Sequence, residues 1–218
     1  MPSITRRPSA GAERRLPVEA QILGTVSRLL REGAGYTELG VQRIAAESGV
    51  ARSTFYLYFA DKTQLLLRLA DTMSQTSFGI ASAWRPLAGL DALTATFGEV
   101  IATYRANAEI LAAVHEASAY DPIVRDFWDS RLEPFRSNVR QVLAEELAAG
   151  RTPADVHVEA ATRLMIDGGD RFLLRHVTTS EDNSDDAAAR ELAATWWYGV
   201  FRRPSPGSEP RRSRVRDK

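Results

Sequence analysis

The side chains able to do acid–base or metal chemistry in this chain are three histidines and 28 carboxylates, with no cysteine. Their spacing assembles no reaction. His115, His157 and His176 are scattered, and no H-x-x-x-H or E-x-x-H pair brings metal ligands to one helical face. There is no glycine-rich phosphate loop and no G-x-S-x-G elbow. His115-Glu116 reads as a helix-surface or pocket-lining pair rather than an acid/base dyad. Without cysteine, disulfides and thiolate metal sites are excluded. The expectation is a non-enzyme with no cofactor and no metal.

The chemistry that does have a pattern is recognition of a polyanion. Val41 to Lys62 reads V-Q-R-I-A-A-E-S-G-V-A-R-S-T-F-Y-L-Y-F-A-D-K. Ile44 and Ala45 face inward on a first short helix. Gly49 supplies the positive φ that a sharp turn needs, and Val50 is expected as a buried apolar plug. A second helix over about Arg52 to Tyr58 is too short to stand alone in water. Asp61 caps a third, with Lys62 in its first turn. Two short helices crossed after a Gly turn form a helix-turn-helix, whose second helix enters the DNA major groove.

Charge supports this placement. Residues 1–62 hold nine Lys/Arg against six Asp/Glu, and residues 202–218 hold seven against two. The formal net charge of the chain is zero, so the middle is acidic. The basic ends, not the centre, are the parts expected to meet a polyanion.

The elements that position the motif are all helical, so the fold class is all-α. Residues 1–16 form an arm with Arg6-Arg7 and Arg14-Arg15, expected to be disordered when free. Pro17 suits a first helical turn. Ile22, Val26, Leu29 and Leu30 then mark one apolar face. The helix from Asp61 runs to Ala83 as a connector, with Leu65, Leu66, Leu69 and Met73 on one side. Further helices are expected over Leu90–Tyr104, Ile110–His115, Pro122 to about Gly150, Pro153–His176 and Ala187–Phe201. Pro134 predicts a kink or a local break. In Pro153–His176 the inward set is read as Val156, Ala160, Leu164 and Phe172. Glu181 to Asp186 is read as an acidic loop, and 203–218 as a disordered basic tail. The domains are thus 17–62 for DNA and 63–202 for a helical bundle. No apolar run approaches the roughly 18 residues that span a bilayer, and the N-terminus lacks the apolar stretch of a secretory signal. The expected setting is soluble and cytoplasmic.

The bundle is rich in large rings. Trp84, Phe97, Tyr104, Trp128, Phe135, Phe172, Trp196 and Trp197 can each be core. Together they exceed what a bundle of this size needs, and apolar walls with a few polar groups make a small-molecule pocket. Asp167 and Asp170 interrupt an otherwise apolar helix around Gly168-Gly169. They face solvent or a cavity, or Asp170 pairs locally with Arg171 or Arg175. The pocket candidates are Phe97, Tyr104, Trp128, Phe135, Asp167, Phe172 and Trp196.

F-Y-L-Y-F-A-D-K, preceded by I-A-A-E-S-G-V-A-R-S-T, resembles the TetR/AcrR family of transcriptional regulators over about Pro17 to Leu66. Trp128 and Phe135 on one helix and a Trp-rich final helix resemble the EthR-type branch. The resemblance implies an Ω-shaped homodimer of about nine helices per chain. It implies a helix-turn-helix domain on double-stranded DNA, a connector, and a bundle that binds a small apolar or amphipathic ligand and dimerises. On that basis Gln42, Arg43, Arg52, Ser53, Thr54, Tyr56, Tyr58 and Lys62 are the DNA-facing candidates, and Leu164, Leu192 and Trp197 the dimer candidates. The chain departs from the family at Gly40 and Ala51, where Ser or Thr caps are usual, and at Ala60, where Pro is usual. The function implied is a ligand-released repressor on a palindromic operator. The alternatives are a constitutive DNA-binding regulator and a small-molecule carrier that binds no DNA.

Overall fold

The computed structural model describes residues 10–179 and 184–203, with side chains from Pro17 onward. The acidic loop and the two basic ends largely lie outside these residues. Nine α-helices and no strand occur among the described residues. They are α1 (Ala10–Arg31), α2 (Val41–Glu47), α3 (Arg52–Tyr58), α4 (Lys62–Ala83), α5 (Gly89–Arg105), α6 (Ala108–Ser118), α7 (Pro122–Ala148), α8 (Val158–Thr179) and α9 (Asp185–Trp196). A π-helical turn, Trp197–Phe201, extends α9.

Two compact units are formed, one from Met1–Gln75 with Ala106–Arg131, the other from Thr76–Arg105 with Leu132–Lys218. The chain crosses between them three times, within α4, between α5 and α6, and within α7.

In the first unit, Ile22, Val26 and Leu29 of α1 are buried against a core that includes Leu39, Ile44, Phe55, Leu65 and Leu66. Each such side chain contributes about 1.5–3 kcal/mol on leaving water. The α2–α3 turn closes at Gly49, φ +65°, and the Val50 amide donates back to the Ala45 carbonyl at 3.0 Å. A side chain at this φ is strained. Gln21 of α1 clamps the turn from outside, its amide donating to the Ser48 carbonyl at 2.7 Å. Val50 itself is only half-buried, not the expected plug. α1 begins at Ala10, so Pro17 lies inside it rather than in its first turn. There its ring removes one amide donor from the helix ladder.

α6 and the start of α7 belong to this unit. The Thr37 hydroxyl donates to Glu116 of α6 at 2.5 Å, and that of Thr63 to Asp121 at 3.1 Å. Asp121 also accepts from the Ile123 amide at 2.9 Å, which starts α7 at Pro122. Arg131 meets Asp71 at 2.6 Å, and Arg68 meets Glu19 at 2.9 Å, so ion pairs join α7 to α4 and α4 to α1.

In the second unit, α5 buries Leu93, Phe97, Val100, Ile101 and Tyr104, as its spacing predicts. α7 runs through Pro134 without a break. α8 corrects the sequence reading. It begins at Val158, not Pro153, because Pro153 to Val156 form a turn and the His157 ring accepts from the Ala160 amide at 3.2 Å. Its buried face is Met165, Ile166, Leu173 and Val177. Ala160, Leu164 and Phe172, expected inward, are exposed, while Val156 is buried ahead of the helix. Both faces of α8 carry apolar residues, so periodicity did not decide between them. Arg105 of α5 grips Asp185 with two hydrogen bonds of 2.7 and 2.5 Å, and His176 Nε2 lies 2.7 Å from the same carboxylate. This triad ties α5 and α8 to the first turn of α9.

Candidate DNA interface and ligand cavity

The first site is built by α2 and α3. Phe55 and Phe59 point inward one turn apart, so the rest of the α3 surface is left to solvent. Arg52 and Ser53 are exposed, as are Gln42 and Arg43 on α2; Thr54 and Tyr58 are half-buried. Tyr56 is exposed, and the Arg52 guanidinium lies 5.7 Å from its ring centre and 3.4 Å from its hydroxyl. A guanidinium, two phenols and two aliphatic hydroxyls on one short helix can meet phosphate oxygens and base edges.

Lys62 is placed differently from its neighbours. Its ammonium donates to the carbonyls of Tyr36 and Thr37 at 2.8 and 3.1 Å and lies 4.5 Å from the Tyr36 ring centre. Partial burial holds its pKa below the ordinary lysine value, against the pull of Glu116. This amine braces the turn after α1. The Asp61 carboxylate caps α4 by accepting from the Gln64 amide at 2.8 Å.

Leu57 was missed. It is 76% exposed in the middle of α3. The signal was available, because two residues on from buried Phe55 is about 200° around a helix. An exposed leucine among polar groups suits a thymine methyl.

The second site lies within the second unit. Two small apolar spaces, of about 20 and 30 Å³, share Ala81, Phe97, Phe135 and Trp196 as walls. Each is room for about one water molecule. Of the pocket candidates, these spaces bring together Phe97, Tyr104, Phe135 and Trp196, and Asp170 joins them. Asp170 is thus at a cavity. The Tyr104 hydroxyl is hydrogen-bonded to its carboxylate, and burial, with that charge, pushes the Tyr104 pKa well up. Phe135 stacks on Phe78 with centroids 5.7 Å apart. Asp167 instead meets Arg136 at 2.9 Å, with half its side chain in solvent. Trp128 lies in the first unit, edge-on to His115 at 6.1 Å. Phe172 is exposed and stacks on His176.

Phe172 lines a larger groove of about 360 Å³ along α8 and α9, with Leu164, Gly168, Leu192 and Gly199. Leu164 is 74% exposed at its edge. Trp197, the third dimer candidate, faces Trp84 and lies under the Arg202 guanidinium, 4.8 Å away. Among the described residues no group of three or more His, Asp or Glu is placed to hold a metal, and no helix is long and apolar enough to cross a membrane.

Residues 27–69 match the family described as bacterial regulatory proteins, tetR family. The chain is 29% identical over 145 residues to the HTH-type transcriptional regulator EthR of Mycolicibacterium smegmatis, across 62% of this chain. It spans only 63% of that relative's length. Its fold matches the fatty acid degradation regulator FadR of Bacillus halodurans with a TM-score of 0.68 at 19% identity, over 86% of this chain and 98% of that one. FadR of Bacillus subtilis, solved in complex with stearoyl-CoA, gives 0.66 at 20% identity over 83% and 98%. These two likenesses establish the fold. Residues 27–69 thus match the tetR family in sequence at the helix-turn-helix, and the chain as a whole shares the fold of these solved regulators.

Proposed function

We propose that this chain is a ligand-responsive DNA-binding transcriptional regulator, a repressor that a small apolar or amphipathic molecule releases from a palindromic operator, and not an enzyme. The observation that carries the reading is α3. Its apolar side is spent on Phe55 and Phe59, while Arg52, Ser53, Tyr56 and Leu57 stand in solvent with no partner domain over them among the described residues. The side chains proposed at DNA are Gln42, Arg43, Arg52, Ser53, Thr54, Tyr56, Leu57 and Tyr58, with Lys62 holding the module's shape.

A homodimer fits the exposed apolar strip of α8 and α9. Leu164 and Phe172 flank a groove floored by glycines, where a second copy's helices can approach closely. A two-fold dimer presents two α3 helices and requires a near-palindromic site. Ligand and DNA are coupled through α4, which supplies residues to both units. A ligand acts only if it binds one arrangement of that helix better than the other.

The small enclosed volume supports a second reading, a constitutive regulator without ligand. Fluorescence anisotropy of the full chain on its own upstream DNA at moderate salt tests both. Specific binding that an apolar or amphipathic molecule weakens is the expected result. No preference over random DNA sinks the proposal. Specific binding that no ligand moves, with no thermal shift, selects the constitutive reading.

A further inference from the structure

We propose that the ligand chamber of the second unit takes an amphipathic organic cation, seated by Asp170 and the surrounding rings, with Phe135 as the partition that moves to admit it. The inference rests on the ligand-responsive reading above.

The chamber's chemistry is lopsided. Neither small space is lined by Lys, Arg or His, and Asp170 is the one charged residue on their walls. Around it stand the rings of Tyr104, Phe97, Phe135 and Trp196. Ring faces are negative, and a cation over them is attracted more strongly where water is excluded. A carboxylate adds a full charge of the same sign. An anionic head brought beside Asp170 is repelled and loses its hydration without compensation. A neutral polar head gains a hydrogen bond from Asp170 or Tyr104 but no charge attraction. A cation gains both.

The chamber's shape explains how a ligand larger than water enters. Phe135 is common to both spaces, and it is held in place by stacking on Phe78. Asp170 borders only one of the two spaces, while Asn138 and Val142 border only the other. Turning the Phe135 ring joins them into one elongated chamber with its charge at one end. The head then lies at Asp170, and an alkyl or aryl tail runs past Phe135 toward Val142.

Three probes with one tail decide the matter: octyltrimethylammonium, octanol and octanoate. Binding to the full chain is measured by tryptophan fluorescence and calorimetry below micelle-forming concentrations. The wild type is expected to bind the cation about tenfold tighter than the alcohol, the size of a desolvated cation–π and charge contact, and to bind the anion weakest. Asp170→Asn keeps the Tyr104 partner and the shape. It should bring the cation to the level of the alcohol while leaving alcohol binding unchanged. Phe135→Ala should tighten cation and alcohol together, because the partition is already open. Alcohol or anion binding as tight as the cation in wild type overturns the cation inference and leaves the ligand-responsive reading standing. Binding of none of the three to either wild type or Phe135→Ala overturns both.

Discussion

Tyr36 and Lys62, 26 residues apart, hold each other by both ends. The Tyr36 hydroxyl donates to the Lys62 carbonyl at 2.5 Å, and the Lys62 ammonium donates to the Tyr36 carbonyl at 2.8 Å. The pair fixes the first turn of α4 to the loop that leads into α2. Tyr36 is buried, and burial raises its hydroxyl pKa, so it remains a donor across neutral pH.

Tyr36→Phe removes one of these hydrogen bonds, while the Lys62 carbonyl keeps its place in the first turn of α4. It should cost about 0.5–1.5 kcal/mol, visible as a lower denaturation midpoint with an unchanged slope in urea. Lys62→Met should also lower the midpoint. Because the amine is occupied by carbonyls, the salt dependence of DNA binding should keep its slope. A slope smaller by about one unit in Lys62→Met would show that the ammonium reaches a phosphate instead.

Arg43 and Leu57 offer the opposite test, since both are exposed and their loss should leave stability alone. Arg43→Ala should weaken binding to all sequences alike and lower the salt slope by about one unit. Leu57→Ala should keep the slope and lose preference at T·A positions, where a methyl contact is apolar. The measurement is anisotropy on a set of operators with single base changes. Uniform weakening by Leu57→Ala would remove it from the base-reading set.

Gly40 and Ala51 are the N-cap residues of α2 and α3, and neither supplies a side-chain cap. The Ala51 backbone is already extended, φ −68° and ψ 148°, which suits a capping serine. Ala51→Ser should stabilise the first unit by about 0.5–2 kcal/mol. Amide exchange across residues 52–58 should slow by the same free energy. Exchange as slow in the wild type as in the α5 core would mean that the missing caps do not matter.

How much of this was legible in the sequence depends on the range of the interaction. Gly49 with Ile44, Ala45 and Phe55 is a local pattern, and α3 ends where that pattern says. The five inward residues of α5 are equally clear, because its other face is polar. α8 is not, since Leu164, Gly168 and Phe172 make a second apolar stripe beside Met165, Ile166 and Leu173; only packing distinguishes them. Phe97, Tyr104, Phe135 and Trp196 were named as pocket candidates from composition, but Trp128 has the same composition and packs elsewhere. The Tyr36–Lys62 brace and the Arg105–Asp185 pair join residues 26 and 80 apart. Neither leaves any local trace.

The Arg105–His176–Asp185 cluster sets how the second unit responds to acid. The two Arg105 hydrogen bonds, and then His176, hold the Asp185 carboxyl below the ordinary aspartate value of 3.8, against the opposing effect of burial. A carboxyl whose pKa is depressed on folding stabilises the fold above its unfolded pKa. That contribution is lost as pH falls through the folded value. Part of the stability present at neutral pH should therefore disappear below about pH 4, where the unfolded chain takes up the proton first. Asp185→Asn cannot ionise and keeps only a weaker hydrogen bond to Arg105. It should melt lower than wild type at pH 7, and the gap should close toward pH 2. Thermal melts from pH 7 to pH 2, on wild type and variant, measure this directly. A gap that stays constant with pH would mean that Asp185 acts through its shape and not its charge.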